Sequence, residues 1–223
     1  MTMRRYTVIM RSSELIIWVM VLLSFIIGIA VYPDMPEQIA SHWNAQGEVD
    51  GYMSRFWGLF LLPFIFVGLG LLFVAIPRID PLKENIEQFR KYYDGFIILF
   101  FIFLLSIYMQ VILWNIGIEI SPNITFPIGI GILFYYIGIL LRHAKRNWFI
   151  GIRTPWTLSN DKVWERTHKR GAKLFKIAGV VAFAGVFFLN YAVWFILVPV
   201  ISVATYTIIY SYIEYQKEIG KRV

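Results

Sequence analysis

Residues 142–176 read RHAKRNWFIGIRTPWTLSNDKVWERTHKRGAKLFK, with ten lysines and arginines and three tryptophans. Lysine and arginine in short loops beside membrane spans are retained on the cytoplasmic side, so this segment reads as an inner loop that orients everything around it. Working outward, near-continuous apolar stretches cover 15–32, 56–76, 95–116, 124–141, 175–190 and 192–210. A bilayer core about 30 Å thick takes roughly 20 residues of apolar helix. The stretches therefore predict an all-α integral membrane protein with six transmembrane helices. The last two are tight. Residues 174–212 number 39, which at about 1.5 Å per residue allow two crossings only as a helical hairpin with a very short turn near Asn190 and Tyr191. Twenty of the 21 lysines and arginines lie before the first stretch, between the second and third, between the fourth and fifth, or after the sixth, leaving Arg55 alone on the other side. The N and C termini are thus expected in the cytoplasm. Arg4 and Arg5 precede the first stretch as they would in a signal peptide, but its length favours a retained span.

The chain is 58% hydrophobic and 16% charged, against about 45–50% and about 25% in soluble domains. With no cysteine and abundant Phe, Ile and Leu, it is neither disordered nor a disulfide-stapled secreted module. The net charge of +7 is placed in loops beside the spans, where membrane lipids and not nucleic acid are the expected partner. No Asp, Glu, Lys, Arg or His occupies the middle of any apolar stretch. Such groups are kept inside spans for ion coupling or chemistry, so their lack argues against a proton-coupled transporter or an intramembrane hydrolase. Ser106 and Gln110 are expected to hydrogen-bond neighbouring helices. Gly68, Gly70, Gly129, Gly131, Gly138 and Gly179 are expected to permit close helix contact, and Pro63, Pro127 and Pro199 to bend or break their helices.

Two regions follow: 1–76, with two helices and an ordered extracytoplasmic loop at 33–55, and 77–223, a four-helix region with the basic cytoplasmic loop 142–174. In the outer loop Pro33 and Pro36 preclude a helix running on from the membrane, while Asn44 to Gly47 and Asp50-Gly51 are turn formers. This predicts a small rigid patch whose candidate ligand-binding residues are His42, Trp43, Asn44, Gly47, Asp50 and Gly51. Trp43, Tyr52, Phe56 and Trp57 suit an aromatic belt at the outer surface. His42 lies near Asp34, Glu37, Glu48 and Asp50, but one imidazole and this spacing match no metal motif. No metal, cofactor or catalytic residue is assigned.

In the inner loop, the residue before Pro155 avoids the helical region, so 153–156 is expected to be extended or turned. Ser159 is a credible N-cap, with Asp161 in the first turn of a helix starting near Asn160. On that helix Lys162, Arg166, Lys169 or Arg170, Lys173 and Lys176 form a basic stripe. Trp164, Thr167, His168, Gly171, Leu174 and Phe175 lie on another face, as in an interfacial helix among anionic headgroups. His168 has no nucleophile placed beside it and is read as a hydrogen-bonding residue.

The pattern Asn147-x-x-Ile150-Gly151-Ile152-Arg153-Thr154-Pro155-Trp156-Thr157-Leu158, followed by Val163-Trp164 and Thr167-His168, resembles the SdpI family of bacterial membrane immunity proteins. The outer Pro36-x-x-Ile39-x-x-His42-Trp43-Asn44-x-x-Gly47-x-x-Asp50-Gly51 is similar to the small domain that commonly precedes it. The resemblance implies a six-span plasma-membrane protein. Its best-known members protect a producing cell from a secreted toxic peptide and hold a cytoplasmic transcriptional repressor at the membrane when that toxin is present. It marks Asn147, Gly151, Arg153, Thr154, Pro155, Trp156, Trp164 and His168 as candidate partner- or lipid-binding residues. The expected function is non-enzymatic immunity and signalling, with a carrier for a lipid or small amphiphile as the alternative.

Overall fold

The computed structural model describes residues 10–220; Arg4, Arg5, Lys221 and Arg222, counted above among the basic flanks, lie outside the described residues. In chain order the elements are α1 (Ser12–Val31), β1 (Gln38–Trp43), β2 (Val49–Ser54), α2 (Arg55–Ile79), α3 (Lys83–Gln88), α4 (Arg90–Asn115), α5 (Pro122–His143), α6 (Pro155–Ser159), α7 (Asp161–Ala184) and α8 (Ala192–Gly220). The six long helices run back and forth between two ends of a bundle. One end carries the β1–β2 hairpin and the other the basic loop.

Among the described residues, five segments are long and apolar enough to cross a membrane: Ser12–Asp34, Arg55–Ile79, Arg90–Asn115, Pro122–His143 and Leu189–Gly220. The fifth apolar stretch of the sequence behaves differently. α7 opens with polar and basic turns and stops at Ala184, and two 3-10 turns at Gly185–Phe187 and Leu189–Tyr191 carry the chain into α8. Its apolar half is too short to cross alone, and α7 packs between α5 and α8. An added Cβ at Gly179 would lie 2.6 Å from the Gly131 carbonyl oxygen, and one at Gly138 2.6 Å from that of Ala172. Small residues here let two backbones touch, as in membrane bundles generally. Gly68, by contrast, faces open space. Pro63, Pro127 and Pro199 lie inside α2, α5 and α8, which continue through them rather than break.

The helices form two triplets, α1–α2–α4 and α5–α7–α8, joined where α4 lies against α5. At the basic end, Glu14 of α1 is buried and pairs with Arg78 of α2 at 2.8 Å and with buried Arg90 of α4 at 3.3 Å. Arg90 continues to Asp94 at 2.9 Å, and Asp94 to Arg11 at 2.9 Å. Across the other triplet, Arg166 and Lys162 of α7 meet Glu214 and Glu218 of α8 at 3.0 to 3.4 Å. Part of the basic stripe is therefore paired within the protein and not free for headgroups.

Candidate functional site

The outer loop folds because its turn satisfies itself. The Asn44 side-chain oxygen accepts from the amides of Gln46 (2.9 Å) and Glu48 (3.0 Å), and Gly47 takes φ +84°, which only glycine adopts freely. The two strands pair antiparallel with an irregularity around His42, and Gly51 opposite leaves room for the His42 Cβ, which an added Cβ would approach to 2.9 Å. The hairpin is clamped onto the helices. The Asn115 side chain accepts from the Ala40 amide at 2.8 Å and donates to the Ala40 carbonyl at 3.0 Å. Asn123 donates to the carbonyls of Ala45 (3.1 Å) and Leu189 (2.9 Å).

This arrangement sorts the predicted outer residues. His42 Nδ1 meets Asp50 Oδ1 at 2.5 Å with both side chains exposed. Asn44, Gly47 and Gly51 build the turn and the pairing, and the Asn44 side-chain nitrogen donates to Glu48 within the turn. Of the expected aromatic belt, Tyr52, Phe56 and Trp57 are exposed. Trp43 turns inward onto Trp114, with ring centroids 5.3 Å apart. Beneath the hairpin lies a cavity of about 710 Å³, lined by His42 and Trp43 above and by α2, α4, α5 and α8 below. Asn115 and Asn123, which hold this roof in place, were not among the predicted site residues; their only signal is a polar side chain beside a span end.

At the opposite end the predicted inner residues come together, but as a closed knot. Asn147 is fully buried; its oxygen accepts from the amides of Phe149 (2.9 Å) and Ile150 (2.6 Å), and its nitrogen donates to the carbonyls of Lys145 (2.8 Å) and Ile150 (2.9 Å). Thr154 is extended before Pro155, as expected, but Pro155 and Trp156, expected to be extended or turned, open the short helix α6, because proline suits a first helical position; Thr154 caps it by accepting from the Thr157 amide. Its hydroxyl also bonds Ser211 of α8 at 3.0 Å. The start of α7 corrects one expectation: Asn160, not Ser159, is the N-cap, accepting from the amides of Lys162 and Val163. Ser159 is the last residue of α6 and donates to the Trp156 carbonyl.

His168 is the centre of this knot. Its ring stacks on Trp164 at 3.9 Å, whose indole donates to the Ala144 carbonyl at 2.9 Å. Nδ1–H donates to the Trp164 carbonyl (2.8 Å), which leaves Nε2 as the acceptor for the Ile152 amide (3.0 Å). Burial depresses the imidazole pKa from 6.5 to about 4, against a smaller opposing effect of the Trp164 bond. Gly151 has φ +111° and its Cα faces His168 Nε2, so a side chain there would be strained and would strike the ring. Arg153 is exposed and donates to the Trp148 carbonyl, and Trp156 lies edge-on to Tyr212 of α8. Asp80, between α2 and α3, was not among the predicted residues; it accepts from the Trp148 amide at 2.9 Å and ties the loop to the first triplet.

Residues 143–211 match the SdpI/YfhL protein family, and residues 19–67 match a domain of unknown function, DUF1648. The chain is 26% identical over 212 residues to the immunity protein SdpI of Bacillus subtilis (strain 168), covering 95% of this chain and 100% of that protein. No solved structure matches it. The resemblance noted in both motifs is thereby borne out, and the hairpin and the knot fall in the two matched regions. The chain is a multi-pass cell-membrane protein, similar to that immunity protein over 95% of its length and matching the SdpI/YfhL family model at 143–211.

Proposed function

We propose that this protein gives its cell immunity to a secreted toxic peptide, acting by binding and without catalysis. The observation that carries the reading is the similarity to the SdpI immunity protein over 95% of the chain. All six long helices cross the membrane in this reading, with both termini in the cytoplasm, the hairpin outside and the knot inside. The distribution of lysine and arginine supports that orientation. The toxic peptide meets the exposed face of the hairpin around His42 and Asp50, and the basic end holds a cytoplasmic transcriptional repressor. For the two to be linked, peptide binding must favour one arrangement of the triplets over another. The alternative, a carrier for a lipid or small amphiphile, draws on the cavity beneath the hairpin.

The test is expression in a peptide-sensitive strain that lacks its own immunity gene. Survival at peptide concentrations that kill the empty-vector strain is expected, and unchanged killing despite normal membrane insertion overturns the reading. Membrane recruitment of a fluorescently tagged repressor from the same gene neighbourhood tests the second activity. Flux of a labelled lipid through liposomes holding the purified protein, above that of empty vesicles, would favour the carrier.

A further inference from the structure

We propose that the cavity beneath the hairpin binds one hydrocarbon chain of a membrane phospholipid, entering from the bilayer between α2 and α8, with the ester or phosphate oxygens of that lipid meeting Trp43. This goes beyond immunity and does not depend on it. The depth of the cavity is lined by Leu61 and Leu62 of α2, Phe126 and Ile130 of α5, and Ile196 and Leu197 of α8. The polar side chain at that depth, Gln110, is already engaged: it donates to the Ile120 carbonyl at 3.0 Å and accepts from the Thr125 hydroxyl.

These walls discriminate between occupants. An extended peptide segment would bury backbone N–H and C=O groups there with nothing to pair them, a penalty that hydrocarbon does not carry. A helical segment satisfies its own backbone, but at about 10–12 Å across it would use up the 710 Å³ in about one and a half turns. A single chain needs only a slot. From Pro122 to Ile130 the α5 wall rises about 12 Å at helical pitch, enough for the upper part of one chain.

The position supplies the route and the anchor. α2 and α8 belong to different triplets and make no extensive contact. Trp57 and Leu197 on their facing edges are 51% and 41% exposed. At the hairpin side, the Trp43 Nε1–H is buried and has no acceptor among the described residues. An ester or phosphate oxygen at the top of the chain would complete it, in the interfacial role that tryptophan commonly takes.

The test uses the full chain in phosphatidylglycerol–phosphatidylethanolamine nanodiscs doped with a phospholipid bearing a diazirine on its acyl chain, irradiated and mapped by peptide mass spectrometry. Label is expected to concentrate on 57–62 and 193–197 relative to the exposed α1 positions Leu22 and Ile26. Leu61→Trp and Ile196→Trp, which fill the slot, are expected to lower it about tenfold and Trp43→Phe about threefold, with Leu22→Trp leaving it unchanged. Trp43→Phe keeps an aromatic ring while removing the N–H, and serves if the filling variants fail to fold, as judged by elution and thermal melting. Label spread evenly over α1 and the cavity walls, or insensitive to both filling and Trp43→Phe, identifies surrounding bilayer lipid alone and overturns the proposal. So does labelling of the walls by a synthetic amphipathic 20-residue peptide carrying photoreactive leucine when the lipid probe leaves them unlabelled.

Discussion

The hairpin and the basic-end knot share residue types, a histidine close to tryptophan, asparagine and glycine, yet they differ in what remains unspent. His42 is exposed, is paired with Asp50 and stands above a cavity. His168 is 2% exposed, and both ring nitrogens and one ring face are occupied by its own chain. A dense motif is therefore no measure of a binding surface. What matters is whether its hydrogen-bonding groups are saturated internally, since a saturated cluster specifies architecture and an unsaturated one is available to a partner.

If this contrast holds, substitutions at the knot cost stability, whereas those at the hairpin cost contact. The largest effect is expected from Gly151→Val, which combines a strained backbone with a clash against His168. It should lose about 4 kcal/mol or more, read as loss of membrane yield and of the thermal transition in detergent. Next is pH. Unfolded, the His168 imidazole takes a proton below pH 6.5, while the folded site refuses it until about pH 4. Over that window the unfolded state binds more protons, so stability falls as pH falls, by about 1.4 kcal/mol per unit and about 3 kcal/mol in all, and is flat above it. Thermal melts of the wild type and His168→Gln between pH 4 and 8 check this: the variant should begin less stable but lose most of the slope.

Gly179→Val, which pushes α7 off α5, is expected to cost about 2 kcal/mol and to lower the melting temperature without altering the pH slope. The smallest change in stability belongs to His42→Ala with Asp50→Asn, because an exposed pair contributes under about 1 kcal/mol. The same double variant should lower survival against the toxic peptide. Intact protection with an unchanged melt would remove the hairpin from the contact surface, and a large drop in melting temperature would erase the contrast itself.

How much of this was legible depended on how local the cause was. The hairpin turn at Asn44–Gly47 and the extended residue before Pro155 are decided within a few residues, and both appear where the sequence places them. The choice of Asn160 over Ser159 as cap was not legible, because both are good caps and Pro155 lets α6 form first, using Ser159 as its last turn. The basic stripe of α7 looked uniform; only the return of α8 brings Glu214 and Glu218 beside Arg166 and Lys162.

The chain by itself determined that it enters the membrane, where its six apolar stretches lie, and which loops carry the positive charge. Those outcomes follow from hydropathy and charge summed over contiguous residues, which need no partner to act. Only the tertiary structure decided that α7, half polar, is sheltered by glycine contacts with α5, that His168 is locked and neutral, and that a cavity opens between α2 and α8. Each depends on groups far apart along the chain whose distances are set by packing. Desolvation and close contact act only once that packing brings them together.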